Sequence, residues 1–408
     1  MEPSQNKAQS KQKPLAGVKV LEMGQLLAGP FATVLLAWFG AEVIKIEPPG
    51  TGDPLRSWRT LHKGTSLWWY SLARNKKCIT LDLRQKRGQE IARQLAERVD
   101  VIVENFKPGT LEKWGLGFED VKTINPRVIM ARISGWGQTG PYAHKPGFAA
   151  VGEGVGGLRY VTGDRDRPPV RPNLSLGDSL TGLHAAFGIL TALYYRDAKG
   201  ANTGQIVDVA IYESVLNMME STIPEYDKAG VIREREGTRL SGIVPTGTYP
   251  CNDGVYVIIG ANGDNLFKRL MAAIGRVEMA SDPRFTHNDD RVPWADEIDQ
   301  AISEWTQGLS SAEVIRALEN TAVPVGPIYS AKDMMADPHF QSRGLFQEVD
   351  LGDGDKVKLP AISPRLTETP GGIEWPGPKL GAHNHEIYGG LLGYGDEEIN
   401  KLVAAGII

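Results

Sequence analysis

Cysteines, basic tracts and long apolar runs are all scarce in this chain. Its 408 residues include only two cysteines, Cys78 and Cys251, without a C-x-x-C pair. This favours a reducing, cytoplasmic location and argues against disulfides and a structural zinc site. No uninterrupted run of about 18 apolar residues occurs, so no membrane span is expected. A formal net charge of -4 without a basic tract argues against a nucleic-acid partner.

Several common catalytic motifs are missing as well. The chain has no phosphate-binding G-x-x-x-x-G-K-[ST], no G-x-S-x-G and no H-E-x-x-H. Residues 152–157 match G-x-G-x-x-G, but a dinucleotide fingerprint belongs to the first strand–helix turn, which here has another sequence. Neither a metal nor a permanently bound cofactor is therefore expected.

What the sequence does contain is an alternation of strand and helix patterns through its first half. The strand candidates are residues 18–23, 42–47, 77–83, 99–104, 127–134 and 205–211. Their succession with intervening helices predicts an α/β fold with a mostly parallel sheet. In such sheets, ligands bind beyond the carboxyl ends of the strands.

The remaining segments predict the domain organisation. Residues 1–14 are polar and lack an apolar stretch, which predicts a disordered tail rather than a signal peptide. A charged helix is predicted over 218–236, and paired strands followed by helices make residues 225–328 a smaller α+β domain. The last part of the chain is expected to return to the first domain. Residues 15–224 and 329–408 would then form one large, Rossmann-like domain.

The most informative segment is residues 173–182, which contains a carboxylate followed by a long apolar run. The run 183–195 predicts a buried helix, so Asp178 lies at or just before its first turn, where the helix dipole favours an anion. Gly177 leaves one side of the carboxylate open, which suits a nucleophile. An aspartate in this position is also a common helix N-cap, and the motif by itself does not separate the two interpretations.

Basic and aromatic residues occur near the predicted strand ends. The basic ones are Arg56, Arg74, Lys76, Lys77, Lys107 and Lys113. Any one of them is typical of a solvated surface, but together they suit the phosphates of an anionic ligand. Phe106 and Trp58 suit stacking on a flat base.

A set of segments in a fixed order extends from Leu15 to Ile408. They read LAGVKVLEMGQLLAGP, GAEVIKIEPPGTGDPLR, NKKCITLDL, VENFKPGTLEKWGLG, ISGWGQTGP, LGDSLTG, TGQIVDVA, VPVGPIYS and LGAHNHEI. In these segments the chain resembles the class III coenzyme A transferases, which include formyl-CoA transferase, carnitine CoA-transferase and proteins of the bile-acid-inducible-F type.

The resemblance implies an enzyme that moves CoA from an acyl-CoA to a carboxylic acid. It also implies an interlocked homodimer, and it makes Asp178 the catalytic aspartate. By position, the CoA contacts would be Leu26, Leu27, Ala28, Asn75, Lys76, Asn105, Phe106, Lys113 and Ile211. Gly242 and Gly247 would belong to a lid over the substrate, with Phe148 beside the nucleophile.

The chain also departs from formyl-CoA transferase. Pro48 stands in place of an arginine, and Leu27 in place of a glutamine. Phe148 and Ala149 replace a Tyr-Glu pair, and residues 241–247 replace a longer glycine-rich loop. These changes argue against formate and oxalate. The apolar and basic neighbourhood is most similar to that of the succinyl-dependent members of the family, which implies a dicarboxylate donor such as succinyl-CoA. The candidates for binding its distal carboxylate are Arg159, Arg171 and Arg239.

Two other functions remain open at this stage. The same superfamily contains α-methylacyl-CoA racemases, which use a histidine and an aspartate as paired acid and base. Phe148 occupies the place of that histidine, which favours transfer over racemisation. A non-catalytic CoA-binding protein is the third interpretation, and the intact Gly-Asp-Ser motif argues against it.

Overall fold

The computed structural model describes residues 12–352 and 354–408, which form two compact units. The first unit contains the residues up to Gly157, Pro172–Met219 and His339–Ile408, and the second contains Leu158–Arg171 and Glu220–Pro338.

Both ends of the chain thus meet in the first unit. The second unit begins at Glu220 and ends at Pro338, where the sequence predicted boundaries at 224 and 328. It also includes Leu158–Arg171, a segment without helix or strand that the sequence placed in the large domain. Of the predicted tail, residues 1–11 lie outside the described residues.

The secondary structure is numbered along the chain. The strands are β1 (Lys19–Glu22), β2 (Glu42–Glu47), β3 (Leu61–His62), β4 (Thr65–Ser66), β5 (Lys76–Thr80), β6 (Val101–Glu104), β7 (Ile129–Ser134), β8 (Ile206–Ala210), β9 (Thr246–Pro250), β10 (Tyr256–Gly260), β11 (Val325–Pro327), β12 (Phe346–Asp350) and β13 (Lys356–Pro360). The α-helices are α1 (Ala28–Trp38), α2 (Leu67–Leu72), α3 (Lys86–Ala96), α4 (Thr110–Lys113), α5 (Phe118–Lys122), α6 (Ala149–Val155), α7 (Leu176–Leu193), α8 (Ile211–Leu216), α9 (Thr222–Ala229), α10 (Asp264–Ala273), α11 (Val277–Ser281), α12 (Asn288–Arg291), α13 (Ala295–Gln307), α14 (Ser311–Glu319), α15 (Ala331–Ala336), α16 (Pro338–Ser342) and α17 (Asp396–Ala404). Short 3-10 turns occupy Pro54–Ser57, Pro283–Phe285 and Val292–Trp294, and π-helical turns occupy Tyr194–Ala198 and His385–Leu391.

A six-stranded sheet forms the centre of the first unit. Its strand order is β5-β2-β1-β6-β7-β8, and every pair of neighbours is parallel. All six predicted strands are present, and the parallel α/β prediction is confirmed. The order reverses between β1 and β6, and ligands of doubly wound sheets bind in the crevice beyond the strand ends at such a reversal.

Both faces of this sheet are buried, which explains the nearly continuous apolar runs in its strands. Leu21 packs into one hydrophobic cluster and Val20 into another, as successive side chains of a strand must. The cluster of Leu21 also contains Ile399 and Leu402 of α17. The end of the chain therefore completes the core that its beginning starts.

Helix α7 packs against α1 without a side chain between them at Gly182. A Cβ atom on Gly182 would lie 2.7 Å from the carbonyl oxygen of Ala28 and 2.9 Å from Cβ of Phe31. The helical stretch Leu176–Ala198 is long and apolar enough by composition to cross a membrane, with 44% of its apolar window buried. A helix in the core of a globular protein can have the same composition, and the packing of α7 on α1 is typical of such a helix.

The second unit is built on a three-stranded antiparallel sheet in the order β11-β10-β9. Val257 and Ile259 of β10 are fully buried in one cluster with Leu270 of α10, Ile302 of α13 and Leu318 of α14. This is an α+β arrangement.

The single long helix predicted over 218–236 is wrong. Helix α9 ends at Ala229, and residues 231–236 form neither helix nor strand. Gly230 comes directly after Ala229 and has a φ of 67°, the left-handed conformation that commonly terminates a helix.

A buried ion network lies under the start of α1. The carboxylate of Glu22 is fully buried and accepts hydrogen bonds from Lys45 Nζ (2.7 Å) and Lys76 Nζ (2.8 Å), and the Thr33 hydroxyl also donates to it. Lys45 Nζ contacts Asp53 Oδ2 at 2.8 Å as well. Two ammonium groups therefore share two carboxylates where no water can solvate them.

The pKa of Glu22 shows how strongly these charges are coupled. Burial alone would raise the pKa, but the positive charges of Lys45 and Lys76 outweigh burial and lower it to about 2. A depressed pKa stabilises the folded state at pH values above the ordinary 4.5 of this group, and that stabilisation is lost as the pH falls towards 2.

Replacing Glu22 by glutamine should therefore destabilise the first unit severely. We expect a loss of about 3–5 kcal/mol in the free energy of unfolding, because two buried ammonium groups lose their shared counter-ion. Urea denaturation followed by tryptophan fluorescence would measure it, since most of the nine tryptophans lie in this unit.

The matched control is Glu42→Gln. Glu42 pairs with Lys77 at the partly exposed start of β2, so its loss should cost less than about 1 kcal/mol. Equal, small effects of the two substitutions would contradict the part assigned to Glu22.

Candidate active site

Asp178 is the third residue of α7 and is half-buried. Ser175 precedes the helix as its N-cap residue. The first turn of a helix carries unsatisfied backbone N–H groups and the positive end of the helix dipole, so a carboxylate is favoured there as an anion.

The sequence suggested that Gly177 leaves an open approach to the Asp178 carboxylate. In the structure, Gly177 instead allows two helices to pack closely. Its backbone N–H donates to Oε1 of the fully buried Glu153 at 3.2 Å. A Cβ atom on Gly177 would lie 3.0 Å from Cγ of Glu153. The glycine is therefore needed because α6 packs directly on the first turn of α7.

Leu26 and Leu27 end the loop between β1 and α1, and Ala28 begins the helix. Leu26 has a φ of 63°, and its N–H donates to both carboxylate oxygens of Asp53 at 3.1 and 3.2 Å. Leu27 and Ala28 are buried at the start of α1. Gly182 contacts Ala28 and lies one helical turn after Asp178. This brings the candidate nucleophile near the loop that the sequence assigned to CoA.

Asn105 follows β6 and joins the two loops at the strand-order reversal. Its Oδ1 accepts the N–H of Gln25 at 2.9 Å, and its Nδ2 donates to the Gln25 carbonyl at 2.8 Å. Asn105 thereby holds the loops after β1 and β6 together, and both lie at the carboxyl ends of their strands.

A cavity of about 410 Å³ opens beyond these strand ends. Its walls are Met23, Gln25, Ile46, Pro48, Pro49, Thr51, Leu81, Asp82, Leu83, Arg84, Phe106 and Trp114. Phe106 meets Trp114 edge to face, with 5.3 Å between ring centroids. An aromatic wall and a nearby cation are suited to a base and a phosphate. That cation, Arg84, pairs with Asp82 at 2.8 Å and is otherwise exposed to solvent.

Four of the six basic residues predicted at this edge are bound within the protein. Lys76 is fully buried, with its ammonium on Glu22 and the Pro30 carbonyl. Lys77 pairs with Glu42. Arg56 pairs with Glu47, and burial lowers the pKa of Arg74 to about 10. Lys107 and Lys113 are exposed.

Asn75 and Ile211 are likewise built into the fold. Asn75 is buried, donates to the Gly372 carbonyl at 2.7 Å and accepts the N–H of Glu374 at 2.7 Å. Ile211 is buried at the start of α8, where a Cβ atom on Gly152 would lie 2.5 Å from its Cγ2. The structure thus gives Asn75, Lys76 and Ile211 partners of their own.

The predicted lid residues lie in the second unit, and Phe148 in the first. Gly242 lines a cavity of about 270 Å³ together with Arg239, and Gly247 is buried in β9. Arg239 pairs with Asp296 and Asp299. Phe148 is 61% exposed at the start of α6.

Sequence reasoning missed Arg84, Trp114 and Arg59. Arg84 and Trp114 line the cavity at the strand ends, and Arg59 lines another cavity beside α7. Arg84 follows β5 and Trp114 follows β6 along the chain. Nothing in the sequence distinguishes either residue from its neighbours in these segments. Their convergence depends on how the strands are ordered.

The chain is similar to characterised proteins over nearly its whole length. The sequence model of CoA-transferase family III matches residues 15–384. A succinyl-CoA–D-citramalate CoA-transferase of Chloroflexus aurantiacus is 49% identical over 97% of this chain and 98% of its own. The β subunit of a succinyl-CoA–L-malate CoA-transferase of the same organism is 40% identical over 97% and 98%.

A solved structure agrees with these relatives. The structure of a CAIB/BAIF family protein from Brucella suis superposes with a TM-score of 0.82 at 33% identity, over 93% of this chain and all of that one. The sequence matches, the shared fold and the geometry around Asp178 support one conclusion: the chain is a CoA-transferase and belongs to CoA-transferase family III.

Proposed function

We propose that this enzyme moves CoA from succinyl-CoA to another dicarboxylic acid, with Asp178 as the nucleophile. The observation that carries the proposal is the position of Asp178 in the first turn of α7, one helical turn from the contact of α7 with the start of α1. The names of both Chloroflexus relatives contain a succinyl-CoA donor and a dicarboxylic acceptor.

In the proposed reaction, the Asp178 carboxylate passes through two mixed anhydrides, with an enzyme–CoA thioester between them. Asp178 attacks the thioester carbonyl of the donor, which gives a mixed anhydride and CoA thiolate. The thiolate attacks the aspartyl carbonyl, releases the donor acid and leaves an enzyme–CoA thioester. The acceptor carboxylate then displaces CoA to form a second anhydride, and CoA thiolate attacks its acyl carbonyl to give product and free Asp178.

The surroundings of Asp178 fit a nucleophile that needs no general base. A carboxylate is already ionised near neutral pH, and the helix dipole favours that form. The Gly177 N–H donates to Glu153, so this group holds α6 and α7 together. It is therefore not assigned to stabilising the oxyanion that forms when a carbonyl is attacked. In this proposal a glycine-containing loop at Gly242 and Gly247 would limit hydrolysis of the anhydride.

The CoA moiety is assigned to the cavity at the strand-order reversal. Phe106 and Trp114 would face the adenine, and Arg84 and Lys113 the phosphates. Leu26, Leu27 and Ala28 would run between this cavity and Asp178, and Asn105 would keep their loop in place. Lys76 is bound to Glu22 and to the Pro30 carbonyl in α1, and Asn75 to Gly372 and Glu374, so both are left out of the ligand contacts.

No observation favours racemisation. The position of the racemase histidine is taken by the exposed Phe148, which has no acid–base group. His184 lies in α7, but its Nδ1 contacts the Leu180 carbonyl at 2.8 Å and its Nε2 contacts Asn217 at 2.9 Å. Both ring nitrogens are thus engaged in structural contacts.

We also propose that the enzyme is an interlocked homodimer. An apolar stripe on α7, continued by the π-helical turn after it, supports association. Leu183, Phe187 and Leu190 of α7 and Tyr194 of that turn share one face and are 52%, 70%, 42% and 59% exposed. Both chain ends lie in the first unit, which is compatible with a chain that passes through its partner. A cytoplasmic location is proposed from the two buried free cysteines.

Removing the nucleophile should abolish transfer. Asp178→Ala and Asp178→Asn should each reduce turnover by more than roughly 1000-fold, because neither side chain forms an anhydride. Isotope exchange between succinyl-CoA and 13C-succinate, followed by mass spectrometry, measures turnover without a known acceptor. Intact-mass analysis should show a CoA adduct on the wild type alone.

Glu213→Gln provides the control, because Glu213 is an exposed carboxylate on α8. It should retain activity and the adduct. Substantial exchange by either Asp178 variant would show that Asp178 only caps the helix.

Phe106 and Lys113 should govern affinity for CoA rather than turnover. Loss of an aromatic stacking partner costs about 1–3 kcal/mol per base, so Phe106→Ala should raise the KM for acyl-CoA about 5- to 100-fold. Lys113→Ala should raise it roughly 2- to 10-fold, since the charge is exposed and screened. Steady-state kinetics with varied acyl-CoA separates KM from kcat. Lys122→Ala on α5 is the control, and equal effects of all three substitutions would reject this site.

The apolar stripe on α7 should be buried between subunits. Phe187→Asp places a charge in its centre, and an unpaired charge buried at an interface is costly. Because interlocked subunits cannot separate without unfolding, we expect the wild type to sediment as a dimer down to nanomolar concentration, and the Phe187→Asp dimer to unfold at a lower urea concentration. Val403→Asp, on the exposed side of α17, should unfold at the wild-type urea concentration. A Phe187→Asp dimer as resistant to urea as the wild type would reject the interface, and a stable wild-type monomer would reject interlocking.

A further inference from the structure

We infer, on the basis of the function proposed above, that Arg59 binds the distal carboxylate of the dicarboxylic substrate. The carboxylate would lie in a cavity beside the first turn of α7. Arg59 would thereby make the enzyme selective for diacids over monoacids.

The local fold presents Arg59 through a tight hairpin. Strands β3 and β4 are joined by Lys63 and Gly64, whose φ values are 47° and 82°. Positive φ at both central residues is the mark of a type I′ turn. The pairing continues beyond the strands, since the Leu67 N–H donates to the Thr60 carbonyl at 3.0 Å.

The next position of this register sets Arg59 opposite Trp68. The guanidinium lies over the indole ring, with 4.5 Å between Cζ and the ring centroid. Arg59 itself has a φ of 58°, a conformation that costs energy for a residue with a Cβ atom. The hairpin and the indole together hold the cation in one place despite its exposure.

The cavity in front of Arg59 reaches the helix turn that carries Asp178. It has a volume of about 460 Å³ and is lined by Arg59 and Trp68 on one side and by Ser175, Leu176 and Ser179 on the other. Asp178 is three residues from Ser175 and therefore its neighbour on the helix surface. An acyl group attacked by Asp178 can extend into this cavity.

The charge of Arg59 is available for a ligand. Among the residues that the structure describes, Arg59 has no hydrogen bond or ion pair, and its one polar contact is the face of Trp68. Arg239, a candidate from the sequence, is instead paired with Asp296 and Asp299. A guanidinium presents a planar fork that matches a carboxylate with two parallel hydrogen bonds. The apolar walls from Leu67 and Leu176 suit the methylene groups of a short diacid.

The test compares two exchange reactions that differ only in the distal carboxylate. One is succinyl-CoA with 13C-succinate, and the other is butyryl-CoA with 13C-butyrate, both read by mass spectrometry. Arg59→Met should lower the ratio of kcat/KM for succinyl exchange to butyryl exchange by roughly 10- to 100-fold, as expected for a lost hydrogen bond to a charged group. Arg59→Lys should restore part of the ratio, because it keeps the charge without the fork.

Lys63→Met is the matched control. Lys63 lies four residues along the same hairpin and pairs with Asp355 at 2.5 Å, so the ratio should stay at the wild-type value. A structural defect of the hairpin would lower both exchange rates together and leave the ratio unchanged, and that result would overturn the inference.

The two proposals fail in different ways. If the wild type exchanges butyrate as well as succinate, the selectivity assigned to Arg59 is wrong while transfer by Asp178 still stands. If the wild type does not exchange succinate, the succinyl-CoA donor of the proposed function is wrong as well. If the Asp178 variants keep their activity, the proposed mechanism is wrong whatever the Arg59 ratio shows.

Discussion

A buried carboxylate shared by two lysines anchors the loop between β1 and α1, beside the proposed site. Glu22 ends β1 and neutralises Lys45 from β2 and Lys76 from β5. Lys45 also reaches Asp53, which in turn accepts the N–H of Leu26. Charges removed from water must find partners, so this network holds Asp53, and through it the Leu26 N–H, in place. These ion pairs therefore hold this edge of the sheet in place without a ligand.

Glycines then bring three helices close enough to form the site. Gly182 allows α7 to touch the backbone of α1, and Gly177 allows α6 to touch the first turn of α7. Side chains at either position would push α7 away by more than the tight packing of an interior tolerates. Asp178 gains its surroundings from these two contacts. Gly177, beside the proposed nucleophile, thus serves helix packing.

The proposed site divides into a part that would bind any acyl-CoA and a part that would distinguish acyl groups. The proposed CoA cavity follows from strand order, because it lies where the sheet reverses direction and the loops after β1 and β6 diverge. The proposed acyl cavity lies instead between the β3–β4 hairpin and α7. Substitutions in one part should leave the other in place, so a family with one reaction can change its acids without changing its cofactor site.

The sequence by itself determined the six parallel strands, the helix with Asp178 in its first turn and the class of the enzyme. These depend on local periodicity, on helix-end chemistry and on segments in a fixed order. It did not decide which cations face a ligand: Lys76 and Arg56 carry the same charge as Lys113, yet the first two are bound to buried carboxylates. Nor did it reveal that Arg59 lies over Trp68 or that residues 158–171 belong to the second unit. Only the tertiary structure decided these points, because the partner of a charge is set by residues distant in sequence that the sheet and hairpin bring together.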